Sequence, residues 1–418
     1  MKNRHCFALV ASRLRSEDYI NWLYKSMESV RDVLGEPLGV IDDSSLDTIV
    51  PRARECTGLV LFVATGGTEH ILLELREKLK EKPVLVVALP YANSLPAVME
   101  AAPLLRRYRR TAIHYLDGFD EASLYSLKTA LKGLVVASSV QGIRLGVIGG
   151  ISPWLVYSRL SDDDAKKIGI ELVDIKLSEL NELYERLDPS EELLKTLMGN
   201  ADRVKVPVDS VKNALRVYSA LKALIERYHL GALTIKCFDL ISTLRTTACL
   251  ALSLLNSSGF VAGCEGDVPS TITMILLSRV SGKPAFMANP ARIREQEVLF
   301  AHCTAPVLYG PYWLLTHFES GIGVGVSVKY PAGVPVTIAR LDPASMRLRV
   351  AVGVIEASGY LSDRHCRTQL LVRLRGAKNL LDRSIGNHYV IVPGKYVEEL
   401  RYTAKLLGLG FEELGQER

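Results

Sequence analysis

The stretch Gly259-Phe260-Val261-Ala262-Gly263-Cys264-Glu265-Gly266-Asp267 decides how this chain is read. A short apolar run that opens after a glycine has the length and composition of a strand, and it ends on a carboxylate. In α/β proteins ligands gather outside the carboxyl ends of strands, so Glu265 stands where such folds keep their chemistry. Histidines recur downstream, at His302 and His388.

Upstream, Leu233-Thr234-Ile235-Lys236-Cys237 reads as a second strand that delivers Phe238-Asp239, and 246–255 reads as the helix between the two. Lys236, Asp239, Glu265 and Asp267 therefore fall on two consecutive strand ends. A fresh start at Ile143-Arg144-Leu145-Gly146-Val147-Ile148-Gly149-Gly150 marks a domain boundary just before it. Earlier still, the β-rich runs 7–11, 58–63 and 83–89 alternate with helical patterns such as 71–81, as a parallel sheet requires. Downstream, beyond residue 295, the pattern changes to alternating strands separated by turns such as Pro331-Ala332-Gly333 and Asp342-Pro343, which indicates a mostly antiparallel β-domain of small-barrel type. A helix over 396–407 closes the chain.

At 418 residues and 48% hydrophobic, the chain exceeds the usual size of one domain, and two or three are expected. Lys and Arg number 51 against 46 Asp and Glu and are spread along the sequence, so no nucleic-acid partner is expected. Arg106-Arg107-Tyr108-Arg109-Arg110 reads as a solvated helix end or loop. Seven cysteines without a Cys-x-x-Cys pair argue against a disulfide framework and against a zinc ribbon, and fit a reducing cytoplasm. The N-terminus has no signal-peptide pattern, and no apolar run reaches the roughly 18 residues that cross a bilayer. Neither Gly-x-Gly-x-x-Gly nor a Walker loop is present.

A carboxylate with one or two imidazoles and open positions suits Mn²⁺, Fe²⁺, Co²⁺ or a similar ion rather than closed tetrahedral zinc. Singly, His302 beside Cys303 also suits a satisfied core residue, and Glu265 a helix cap. Together, Glu265, Asn289, His302 and His388 all follow β-like runs.

Gly-Cys-Glu-Gly-Asp, Phe-Met-Ala-Asn (286–289), Ala-His-Cys-Thr-Ala-Pro (301–306), Thr-His-Phe-Glu-Ser-Gly (316–321) and Gly-Asn-His-Tyr-Val-Ile-Val-Pro-Gly (386–394) resemble the motifs of the L-fucose isomerase and L-arabinose isomerase group of sugar ketol isomerases. The resemblance implies two Rossmann-like (flavodoxin-like) α/β domains, 1–140 and 141–294, followed by a C-terminal β-barrel-like domain over 295–418. It implies a divalent ion, most often Mn²⁺, held by Glu265, Asn289 and His388, with His302 matching the extra histidine of the arabinose branch. Lys236 and Arg367 become substrate contacts by the same resemblance, with a structural salt bridge the alternative for each, and the oligomer a homo-trimer or homo-hexamer; His317 and Glu319 read as groups that bind substrate hydroxyls or support those that do, or as a polar turn before the next strand. Asn289 departs from the pattern: the family has an acid there, and a neutral amide can ligate a metal but cannot serve as a base.

The expected activity is a metal-dependent interconversion of an aldose and a ketose through an enediol in the cytoplasm, with Glu265 touching the metal and moving the proton. Asp239 is the expected second base, with Asp267 an alternative. A non-catalytic sugar-binding or regulatory protein on the same fold, and a metal-assisted epimerase or dehydratase, are the rival expectations.

Overall fold

The structure, a computed structural model, describes residues 5–414. The chain divides into two compact units, one running to Gln141 and completed by Glu398–Gly410, the other comprising Gly142–Val397 and the chain from Phe411.

The first unit holds five parallel strands, β1 (His5–Val10), β2 (Glu36–Ile41), β3 (Gly58–Val63), β4 (Val84–Ala88) and β5 (Thr111–Tyr115), in the order β2-β1-β3-β4-β5. β3 and β4 are apolar and buried at every residue, the pattern of strands covered by helices on both faces. The arginine-rich segment 106–110 follows directly on the helix Ser94–Leu105, where positive charge complements the carbonyl end of the helix. Cys6 on β1 and Cys56, at the end of the helix Leu46–Glu55, form a disulfide with Cα atoms 5.9 Å apart. This corrects the expectation from cysteine spacing: the partners are 50 residues apart and meet only because β1 pairs with β3, whose start follows Cys56.

The second unit opens with β6 (Ile143–Ile148) and β7 (Ile170–Ile175). The short β8 (Arg203–Val204) follows, then β9 (Ala232–Ile235) and β10 (Val261–Cys264). β6, β7, β9 and β10 form a second parallel sheet in the order β10-β9-β6-β7. Next come β11 (Phe286–Arg294) and β12 (Glu297–His302), followed by β13 (Tyr312–Leu315) and β14 (Gly325–Val328). Four more follow, β15 (Pro335–Asp342), β16 (Arg347–Gly359), β17 (Thr368–Leu374) and β18 (Tyr389–Pro393), and β19 (Gly410–Glu413) lies at the end of the described residues. Antiparallel pairings run β15-β18-β11-β12-β17-β16 and return to β15, closing a six-stranded barrel. β13 pairs with β14 and, in parallel, with β8. Phe286, Phe300, Val298, Leu370 and Tyr389 fill one continuous core with these strands, and full burial of each large apolar side chain contributes about 1.5–3 kcal/mol. The mixed α/β architecture with a terminal antiparallel barrel matches expectation at this level, and the barrel takes in β11, upstream of the change of pattern seen in the sequence.

The helix Val268–Ser281 joins the second sheet to the barrel. Asp267 caps it, Pro269 sits in its first turn and Gly282 ends it in the left-handed region, three independent boundary signals. Val268–Leu277 are buried without interruption, because the helix packs on β10 on one side and on β15 and β18 on the other. Its N-terminus therefore lies where strand ends of the sheet meet the barrel.

Candidate metal centre

Glu265 leaves β10 with φ +61°, a left-handed conformation that costs a non-glycine residue free energy and is kept only where surroundings enforce it. The enforcement is visible. Gly266 also has positive φ, and a Cβ there would lie 2.2 Å from the Gly150 carbonyl oxygen. The Glu265 carbonyl accepts from Ser152 N–H at 3.0 Å, while Gly266 N–H donates to Ile235 at 3.1 Å. The turn after β10 is thus clamped between the ends of β9 and β6, and the Glu265 side chain is sent into a site where it is 7% exposed.

Two imidazoles meet it there. His302, the last residue of β12, places Nε2 3.8 Å from Glu265 Oε1; His388, just before β18, places Nε2 3.3 Å from the same oxygen. Their ring centroids are 5.5 Å apart at 72°. One ligand atom from each of the three lies within 4.8 Å of the others, the one such group of His, Cys, Asp or Glu among the described residues. Both Nδ1 atoms are already engaged, His302 with Thr304 Oγ1 at 2.9 Å and His388 with Asp267 Oδ2 at 2.9 Å. The other Glu265 oxygen, Oε2, accepts from the Trp154 indole N–H at 2.7 Å.

The electrostatics follow from this packing. Burial pushes the Glu265 carboxyl upward, but the two facing imidazoles outweigh it and hold the group well below the usual carboxylate range. Burial likewise acts to lower His388, yet Asp267 and Glu265 raise it to about 9. Asp267, also opposed by burial, is brought down to about 2 by Arg340 and His388. Donor set and charge fit a divalent cation: one carboxylate oxygen and two imidazole nitrogens converge, and His388 Nε2 is fully buried with no hydrogen-bond partner.

The other expected residues are placed as follows. Asn289, on β11, accepts at Oδ1 from Asn387 Nδ2 at 3.1 Å, beside the chain at His388. Asp239 opens a short helix after β9 and ion-pairs with Lys236 at 2.9 Å. His317 is buried, with Nδ1 against Ser320 Oγ at 3.0 Å and its ring 5.5 Å from Phe238, which in turn meets Trp154 at 5.0 Å. Glu319 is exposed in the turn after it. The Arg367 guanidinium donates to the Thr316 carbonyl at 2.7 Å and lies over Phe318 and Tyr360, so protein groups already occupy it. The Cys264 thiol, hydrogen-bonded with Cys237 at 2.9 Å and buried, is pushed well above its ordinary range and is no nucleophile.

Trp154, Thr304 and Arg340 were not singled out from sequence as site residues. Ser152-Pro153-Trp154 after the Gly149-Gly150 turn was a usable signal for the first. A basic residue inside the apolar strand β15 gave no sign that Arg340 would be fully buried against Asp267.

No protein-family model matches the chain. Among curated proteins it is 22% identical over 347 residues to a sulfoquinovose isomerase of Clostridium sp. (strain MSTE9), covering 77% of this chain and 76% of that protein. It is 24% identical over 343 residues to the sulfoquinovose isomerase of Priestia aryabhattai, covering 76% and 75%. A sulfoquinovose isomerase of Alkalicoccus urumqiensis is 24% identical over 349 residues, 77% of this chain and 76% of that protein. The relatives are thus sugar isomerases, named for neither fucose nor arabinose. No helix among the described residues is long and apolar enough to cross a membrane. With similarity of this extent to four such enzymes, the chain is a sugar isomerase.

Proposed function

We propose that this isomerase is divalent-metal-dependent and interconverts an aldose and a ketose through an enediol, with Glu265, His302 and His388 holding the ion. The observation that carries the proposal is the convergence of both Nε2 atoms, from two buried imidazoles, on Glu265 Oε1. When bound, a divalent ion supplies electrostatic stabilisation of the charge that develops on the sugar's carbonyl oxygen.

The chain's own groups do the rest. The carbon next to a sugar carbonyl is a very weak acid, so a positioned carboxylate takes its proton and returns it to the neighbouring carbon, while the hydroxyl proton passes to the former carbonyl oxygen, leaving the atoms balanced within one molecule. Glu265 is held rigidly by the Trp154 indole and faces the substrate space as ligand and proton carrier. Asp239, on the adjoining strand end, serves as the second base; its ion pair with Lys236 fixes where the carboxylate stands. Trp154, Phe238 and His317 meet edge to face in a row beside Glu265 and line that side of the site. Asn289, held by Asn387, completes the ligand side as a neutral group.

The two parallel sheets are read here as Rossmann-like domains with boundaries near 140 and 294, and the active form as a homo-trimer or homo-hexamer. Mn²⁺ is the first candidate ion. Sulfoquinovose, the sugar in the relatives' names, is the first substrate to test. Purified protein stripped with a chelator and resupplied with Mn²⁺ should form ketose from sulfoquinovose, L-fucose or L-arabinose only in the resupplied sample. Equal turnover in both samples overturns the metal requirement.

A further inference from the structure

We infer that Asp267, braced by Arg340, is a positioning residue that fixes the tautomer of His388, so that Nδ1 carries the ring proton and Nε2 stays a metal donor; this rests on the metal reading above. Asp267 and His388 are each 0% exposed, and Asp267 Oδ2 is 2.9 Å from His388 Nδ1. The carboxylate cannot turn away. Its Oδ1 accepts from Ser270 N–H at 2.8 Å as the cap of the helix Val268–Ser281, and its Oδ2 also faces Arg340 Nη1 at 3.3 Å.

Arg340 in turn grips both ends of residue 388. Its Nη1 donates to the His388 carbonyl as well as to Ser270 Oγ, Nε donates to Ile385 carbonyl at 2.6 Å, and Nη2 donates to Ser158 Oγ at 2.6 Å. Gly386 makes room for it: a Cβ there would lie 2.2 Å from Nη2. The backbone of His388 is held through its carbonyl and the ring through Asp267, by one fully buried cation. An acceptor-only carboxylate at Nδ1 keeps a proton on that nitrogen, so the proton given up when an ion binds is the one on Nε2, which points at Glu265.

The two imidazoles are therefore unequal. His388 is backed by a carboxylate, His302 by the neutral hydroxyl of Thr304. In Asp267→Asn the helix-capping oxygen can stay on Ser270, which turns the amide N–H₂ towards Nδ1. The ring proton is then driven to Nε2, where it blocks the ion.

The test is calorimetric titration of chelator-stripped protein with Mn²⁺ alone, for the wild type, Asp267→Asn and Thr304→Val. Affinity should fall about 10–100-fold in Asp267→Asn, the usual cost of losing such a partner, and less in Thr304→Val. Equal affinity of Asp267→Asn and wild type overturns the inference while leaving the metal site standing; no binding to the wild type overturns the metal reading and the inference with it. Because removing one member of a buried ion pair can unfold a protein, a second measurement uses the wild type only. With ¹⁵N-labelled histidine and ¹¹³Cd²⁺, the cadmium coupling of His388 should fall on Nε2, with a slowly exchanging proton on Nδ1. Coupling to Nδ1, or an Nδ1 without that proton, overturns the inference.

Discussion

Replacing Trp154 by phenylalanine removes one hydrogen bond and little else. The indole N–H donates to Glu265 Oε2 at 2.7 Å, and the ring meets Phe238 edge-on at 5.0 Å, a contact that a phenyl ring keeps. Trp154 is 49% exposed, so the apolar area lost is small. A hydrogen bond to a charged acceptor contributes about 1.5–3 kcal/mol. Water can reach a half-exposed position and replace part of that, which brings the loss just below that range, to ~1.4 kcal/mol, or tenfold in an equilibrium constant. Mn²⁺ affinity of Trp154→Phe, measured by calorimetry, should therefore drop about tenfold, and kcat/KM should follow because a Glu265 carboxylate free to rotate no longer aims Oε1 at the imidazoles. Thermal stability in chelator should be nearly unchanged. A folded Trp154→Phe protein with wild-type Mn²⁺ affinity and wild-type kcat/KM would refute the reasoning, since Glu265 would then be oriented by something other than the indole.

Asp239→Asn should lose most of its turnover while keeping Mn²⁺ affinity, because Asp239 is assigned to proton transfer and not to the ion; full turnover eliminates that role. Asp267 is held at about 2 against an ordinary 3.8. A depressed carboxyl stabilises the fold fully above the ordinary value and loses that contribution as pH falls through the folded one, so denaturant unfolding in chelator should weaken between pH 4 and 2. The slope of stability against pH should be shallower in Asp267→Asn over the same window, and an unchanged slope contradicts the assignment. Cys6→Ser with Cys56→Ser opens a crosslink spanning 50 residues. Chain-entropy reasoning gives an upper figure of about 4 kcal/mol, and a loss of about 2–4 kcal/mol in unfolding free energy is expected.

How far the sequence carried the reading depended on whether a feature was local. β3, β4 and β6 were legible because each is a short apolar run bounded by turn residues, and they appear at Gly58–Val63, Val84–Ala88 and Ile143–Ile148. The helix read at 71–81 is found at Glu69–Lys78, a shift of the size expected when caps are faint. Glu265 was legible by its place at a strand exit, and His302 and His388 as imidazoles after β-like runs. The disulfide was not, because Cys6 and Cys56 are brought together by strand pairing rather than by spacing. Arg340 was hidden for a related reason: alternation along Val336-Thr337-Ile338-Ala339-Arg340 puts it on the face of the buried Val336 and Ile338, but its partner Asp267 lies 73 residues away in sequence, and nothing local announces the pair. Asp267 was noticed as an acid, but its work as the partner of His388 depends on a contact across 121 residues.

The central claim is that Glu265, His302 and His388 share one divalent ion. Diffraction from crystals grown with Mn²⁺, recorded at the manganese absorption edge, tests it most directly. The account predicts a single strong anomalous peak bounded by Glu265 Oε1, His302 Nε2 and His388 Nε2, with His388 Nδ1 still on Asp267. An anomalous map with no peak among those three atoms, in crystals of protein shown to be active with Mn²⁺, would contradict it.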